Sequence, residues 1–172
     1  MRKRLLVVCH ANTARSVMAH VLLERMLEAR GAAARVRVRS GGVGNWARDG
    51  MIPSLDARLV LREAGIDLAE DAMTSTALAI HREIVAGADV ILTMTEEQKA
   101  VVEGYEEARG KPILTLRELA GESGDIGDPA TQGEHVFRAC RDEIARCLEK
   151  AVDRLLSILP RWGTSNGAPT SS

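Results

Sequence analysis

Cys9-His10-Ala11-Asn12-Thr13-Ala14-Arg15-Ser16 puts a thiol, an arginine and a hydroxyl into one short stretch. Those residue types suit attack on a bound oxyanion. Backbone N–H groups of a short loop that opens a helix converge on an anion. Arg15 can grip two non-bridging phosphate oxygens with its planar fork. The same positive surroundings favour the thiolate of Cys9, which is the attacking species. In this cradle His10, Ala11, Thr13 and Ala14 would contribute mainly backbone donors.

Such a cradle must sit between a strand and a helix, and the flanks supply both. Leu5-Leu6-Val7-Val8 precedes it, apolar on both faces like a buried central strand. Cys140 and Arg146 repeat the spacing, but they fall inside a continuous helical pattern where no loop can form. Arg35-Val36-Arg37-Val38-Arg39 alternates strictly, which predicts a strand with one wet face near a sheet edge. Val90-Ile91-Leu92 and Ile113-Leu114 read as two further buried strands. Helical patterns between them imply a three-layer α/β/α fold of flavodoxin-like type, its four-stranded parallel sheet in the order 2-1-3-4. The chain reverses direction beside the first strand, and ligands in such folds sit beyond the strand's carboxyl end there, where Cys9 falls.

The spacing predicts helices over Arg15–Arg30, Leu55–Ala64 and Thr76–Ala86, each stopped by a glycine (Gly31, Gly65, Gly87). Thr95 with Gln98, and Thr115 with Glu118, have capping-box spacing. A last helix runs from near Gly133 to Leu159. The small polar stretch 163–172 is expected to be a disordered tail.

Bulk properties narrow the function. The chain has 172 residues, 23 Lys plus Arg, 24 Asp plus Glu and a net charge of −1. With no large block of one sign, a nucleic-acid surface is not expected. Nor is a membrane span, because the N-terminal apolar run is too short. Three cysteines without metal-like pairing predict a reducing, cytoplasmic setting. His20, His81 and His135 lack metal-ligand spacing, so neither metal nor cofactor is expected. The oligomeric state is left open.

Asp125-Ile126-Gly127-Asp128-Pro129 lies between the fourth strand and the last helix, at the same carboxyl edge as Cys9. A carboxylic acid there can protonate a leaving group. Together these motifs resemble the low-molecular-weight phosphotyrosine protein phosphatase family. The resemblance spans about residues 4 to 159. It rests on Val8-Cys9-x-x-Asn12-x-x-Arg15-Ser16-x-Met18-Ala19, Arg39-Ser40-Gly41-Gly42, Asp89-Val90-Ile91-Leu92-Thr93-Met94, Asp128-Pro129 and Arg141-Asp142-Glu143-Ile144. It implies a single phosphatase domain over 1–162, with phosphoprotein substrates and inorganic phosphate as a product. Cys9 would form a phosphocysteine, Arg15 would clamp the phosphate, and Asp128 would act as acid and then base. Asn12 would hold the cradle's shape in a left-handed conformation and bond to Ser40. Ser16 would steady the thiolate, and Trp46, Pro129 and Ala130 would flank the substrate.

Four departures bear on the substrate. Ala11 replaces a usual glycine. Ala14 stands where many members carry a protective second cysteine. Ala130 replaces an aromatic residue that supports a tyrosine ring. Thr13 stands where tyrosine-directed members carry a bulky aliphatic, and it resembles the protein-arginine phosphatase branch. Asp125 is a further candidate neighbour for a guanidinium, although a solvated loop carboxylate is its simpler role. Phosphoarginine and phosphotyrosine therefore both stand as substrates. Arsenate reductase is a rival of the same fold, but it needs resolving cysteines. Cys140 and Cys147, seven residues apart on one helix, are about 10 Å apart along its axis and cannot pair with each other. A phosphate-binding module without turnover needs neither nucleophile nor acid.

Overall fold

A computed structural model describes residues 2–159; the stretch expected to form a tail, 163–172, lies outside them. The strands are β1 (Lys3–Cys9), β2 (Val36–Gly42), β3 (Val90–Thr93) and β4 (Ile113–Thr115). The helices are α1 (Arg15–Ala29), α2 (Leu55–Glu63), α3 (Arg82–Ala86), α4 (Glu96–Glu103), α5 (Leu116–Leu119) and α6 (Glu134–Ile158). The sheet has the order β2-β1-β3-β4, and every pairing is parallel.

Successive side chains of a strand point to opposite faces, and β1 feeds two cores in this way. Leu5, Val7 and Cys9 enter a large core with α1, α2, α5 and α6, while Leu6 and Val8 enter a smaller one with Val85, Ile91 and Val102. Cys9 thus leaves the sheet on the side of α1, the helix that opens just after it. In β2, Val36 and Val38 face the large core and Arg37 and Arg39 are exposed, so the alternation read from sequence is the strand's own.

The third helix is a correction. A helix over Thr76–Ala86 is not formed; α3 spans only Arg82–Ala86. Residues 76–78 are held extended by partners outside the segment, and the Thr76 carbonyl, which a helix would spend within itself, accepts from Gly42 N–H (2.8 Å). Thr76 N–H donates to Asn12 Oδ1 (3.0 Å), Ala77 N–H to Asp49 Oδ1 (2.8 Å) and Leu78 N–H to the Gly42 carbonyl (2.9 Å). Residues 76–78 therefore run as an added rung beside the end of β2.

The Thr95–Gln98 capping box is complete. At Thr115 only half of it forms: the hydroxyl accepts from Glu118 N–H, while the Glu118 carboxylate pairs with Lys99 at 3.0 Å.

Candidate active site

The cradle is the turn from the end of β1 into α1. Asn12 is its pivot, buried and at φ +62°. Asparagine is one of the few non-glycine residues that enters the left-handed region readily. Ala11 adopts no positive φ, so the alanine needs no strained backbone. The Asn12 side chain joins two elements: Nδ2 donates to Ser16 Oγ at 2.8 Å and Oδ1 accepts from Thr76 N–H. A backbone N–H can only donate, which fixes the orientation of the amide.

That orientation decides what Ser16 can do. Its oxygen accepts from Asn12, so its own proton is free to point at Cys9 Sγ, 2.9 Å away. Asn12 N–H also donates to the sulfur at 3.3 Å. Two donors therefore converge on a buried sulfur, the arrangement that stabilises a thiolate. The first turn of α1 holds no acidic residue and its N-cap, Ala14, makes no side-chain cap. Its N–H groups and positive dipole end are left for an external anion.

Ser40 is a second correction. Its hydroxyl lies 3.1 Å from His20 Nδ1, and the Asn12 side chain instead joins Ser16 and the Thr76 amide. The neighbouring glycines are explained by space. A Cβ at Gly42 would sit 2.6 Å from the His10 carbonyl oxygen, and one at Gly41 would run into Leu78. This close approach lets Val43 and Gly44 N–H donate to the Cys9 and His10 carbonyls, which ties β2 to the cradle.

Arg15 is 4% exposed. Its Nη1 donates to the Ile126 carbonyl at 2.8 Å, and Nη2 lies 3.8 Å from Asp128 Oδ2. The loop before Asp128 is anchored at three further points. Asp125 Oδ1 accepts from Glu96 N–H at the start of α4, Ile126 N–H donates to the Met94 carbonyl, and Arg117 Nε donates to the Asp125 carbonyl. Asp125 thus caps a helix and is not a cleft neighbour. Asp128 itself is half exposed and takes the Ala130 N–H on Oδ1. Thr131 follows at φ +64°, an unusual backbone for a β-branched residue.

These elements enclose a cleft of about 260 Å³ lined by Cys9, His10, Ala11, Thr13, Ala14, Arg15, Trp46, Asp128 and Ala130. Trp46 is 58% exposed and stacks on the His10 ring with centroids 6.3 Å apart. Pro129 is a third correction: it is buried and does not line the cleft. Sequence reasoning missed Met51, Ser54, Asp56, Thr131 and Phe137, which complete the walls. Asp56 arrives because Ser54 N–H donates to the Thr13 carbonyl at 2.8 Å, which pins the start of α2 against the cradle. The Asp56 position opens α2, where a carboxylate suits the helix dipole, and nothing in its local pattern signalled the cleft.

Cys140 and Cys147 are buried on α6. Cys140 packs under the acid loop, 3.8 Å from the Gly127 carbonyl, and burial pushes its thiol up to about 11. Among the described residues, no group of three or more His, Cys, Asp or Glu could hold a metal ion. No described helix is long and apolar enough to cross a membrane.

Known proteins are similar to this chain in sequence and fold. The family model for low molecular weight phosphotyrosine protein phosphatase matches residues 4–159. A protein-arginine-phosphatase of Geobacillus stearothermophilus is 34% identical over 90% of this chain and 97% of its own. The probable low molecular weight protein-tyrosine-phosphatase EpsP of Ralstonia nicotianae is 31% identical over 92% of this chain and 99% of its own. The solved structure of the YwlE arginine phosphatase from Geobacillus stearothermophilus superposes with a TM-score of 0.78 at 35% identity, covering 92% of this chain and 96% of that one. The chain belongs to the low molecular weight phosphotyrosine protein phosphatase family, cysteine-based hydrolases that act as protein phosphatases.

Proposed function

We propose that the protein removes phosphate from phosphoarginine in proteins, through a phosphocysteine intermediate. The phosphoryl group sits on the N–H groups of the cradle with Arg15 across two of its oxygens. The Cys9 thiolate attacks phosphorus, an S–P bond forms, and the bond from phosphorus to the guanidine nitrogen breaks. Asp128 gives its proton to that nitrogen, so the arginine side chain leaves as a stable cation. Asp128, now a carboxylate, takes a proton from water as the water attacks phosphorus. The S–P bond then breaks, inorganic phosphate departs and the Cys9 thiolate is restored, its charge received by Ser16 Oγ–H and Asn12 N–H.

One observation carries the choice of arginine: the cleft pairs Thr13 with a second carboxylate, Asp56. A guanidinium leaving group gains from a carboxylate within its walls. A tyrosine ring needs an aromatic face, and position 130 offers only a methyl group. Trp46, the exposed aromatic of the cleft, is already stacked on His10. The similarity to a protein-arginine-phosphatase supports the same choice, and the similarity to EpsP keeps phosphotyrosine as the competing substrate.

Matched phosphoarginine and phosphotyrosine peptides test the proposal on the purified protein. Phosphoarginine should have the higher kcat/KM. Thr13→Ile should shift the ratio towards phosphotyrosine, and Asp56→Asn should lower turnover of the phosphoarginine peptide alone. A ten-fold preference needs about 1.4 kcal/mol between the two transition states, within reach of one side chain. Preference for phosphotyrosine by the unmodified protein would overturn the assignment.

A further inference from the structure

A second and larger cavity, of about 770 Å³, lies on the opposite face of the sheet from α1 and is not used by the phosphatase chemistry. Residues 74–76 and α3 wall a hollow against β1 and β2. Arg4, Arg37 and Arg39 project into it from the two strands. Arg4 is the paired neighbour of Arg37, and Arg39 follows two residues along β2. The three cations therefore spread about 5 Å across the sheet and about 7 Å along it.

Their charge is only partly offset, because three guanidinium groups and His81 face two carboxylates, Asp49 and Glu83. None of the three guanidinium groups has a hydrogen bond or ion pair among the described residues. The two carboxylates that line the cavity are both engaged by His81: Asp49 at 2.6 Å and Glu83 at 3.3 Å. Asp89, at the strand end nearby, takes the backbone N–H of Arg4 at 2.7 Å. The hydroxyls of Thr74 and Thr76 and the apolar surface of Ile84 and Ala88 complete the lining. The size is that of a small-molecule site.

We propose that this cavity binds a small molecule carrying two or more linked phosphates. A single phosphate can engage one or two guanidinium forks, whereas three forks spread along two strands match an extended anion. The oligophosphate can be free or borne on a nucleoside, for which Ile84 and Ala88 offer an apolar seat. The site is separate from the cradle: its cations stand on the far face of the sheet, and Arg15 takes no part in it.

Calorimetric titration at fixed ionic strength tests the proposal, with tripolyphosphate and ATP as probes. The Arg15→Ala variant removes the phosphate grip of the cradle, so binding that remains reports the second cavity. One-to-one binding should persist in Arg15→Ala. Arg37→Ala and Arg39→Ala should each weaken it about ten-fold or more, as loss of a charge-assisted bond requires. Arg109→Ala removes one exposed charge elsewhere and should leave binding unchanged. Because the Arg37 and Arg39 side chains are exposed and have no partner among the described residues, their variants should fold and should hydrolyse a chromogenic phosphate ester at the unmodified rate. ATP binding more tightly than tripolyphosphate assigns a nucleoside-borne ligand, and equal affinity assigns the free chain. Loss of binding in Arg15→Ala, equal weakening by Arg109→Ala, or no binding of either probe would overturn the proposal. These outcomes do not depend on which phosphoprotein the cradle hydrolyses.

Discussion

Replacing Asn12 by alanine should damage both stability and turnover, and the two losses can be worked out from its contacts. The side chain makes a 2.8 Å bond to Ser16 Oγ and a 3.0 Å bond from Thr76 N–H, in a residue that is 2% exposed. Losing the first costs about 1 kcal/mol, and stranding the Thr76 amide costs about 1–2 kcal/mol. Alanine at φ +62° adds about 1 kcal/mol of backbone strain. The total, about 3–4 kcal/mol, is a large share of the roughly 5–15 kcal/mol that holds a domain together. Asn12→Gly loses the same bonds without the strain, but its unfolded chain is freer by about 0.4–1 kcal/mol. It should therefore lie within about 1 kcal/mol of the alanine variant, on the stable side. Asn12→Asp buries a carboxylate beside the anion cradle and should cost stability too. It keeps an acceptor for Thr76, yet puts an acceptor where Ser16 now receives a donor, so the Ser16 proton turns away from Cys9. Turnover should fall about ten-fold or more, equivalent to about 1.4 kcal/mol. Urea unfolding curves and steady-state rates on a chromogenic phosphate ester measure all three variants. Alanine and glycine variants within about 0.5 kcal/mol of the unmodified protein would refute the pivot role of Asn12.

Gly42→Ala should disrupt the cradle, because its methyl group would meet the His10 carbonyl at 2.6 Å; a loss of about 1–3 kcal/mol and a matching fall in activity are expected, and a silent substitution would contradict the packing. The His81–Asp49 pair predicts a pH-dependent contribution to stability. Donation of a hydrogen bond to Asp49 holds His81 above its ordinary 6.5, and the Ala77 amide and His81 hold Asp49 below 3.8, so the contribution is full between those values. It fades as pH rises through the folded His81 value or falls through the folded Asp49 value. His81→Ala should accordingly lower the urea midpoint more at about pH 5.5 than at about pH 9, and an effect that grows with pH would contradict the pairing. Peroxide should oxidise Cys9 without forming a disulfide to Cys140, whose thiol is held at about 11 by burial; a Cys9–Cys140 crosslink found by mass spectrometry would contradict this.

Much of this architecture was legible in the residues. The strand order follows from three apolar runs and one alternating run, and the cradle follows from a thiol and an arginine set between strand and helix. What escaped was long-range. Thr76–Ala86 has helical spacing, but residues 76–78 are held extended by Asn12, Asp49 and Gly42, partners that lie far off in sequence. Ser40 meets His20 rather than Asn12, another contact between separate elements. Asp56 gave no signal because an acidic residue at the start of a helix is ordinary; only the Ser54–Thr13 bond turns it towards the cleft. Pro129 shares a turn with the acid, but its ring is buried while the Asp128 carboxylate is half exposed.

The central claim is a phosphate carried on Cys9, and acid-quenched trapping tests it most directly. Asp128→Ala removes the base that activates water, while a leaving group as good as nitrophenolate departs without an acid. Mixed with nitrophenyl phosphate and quenched within the first turnover, this variant should release a burst of nitrophenolate. It should also carry one phosphate per chain, mapped by mass spectrometry to Cys9. Absence of phosphate on Cys9, its appearance on another residue, or undiminished turnover by Cys9→Ser would contradict the mechanism.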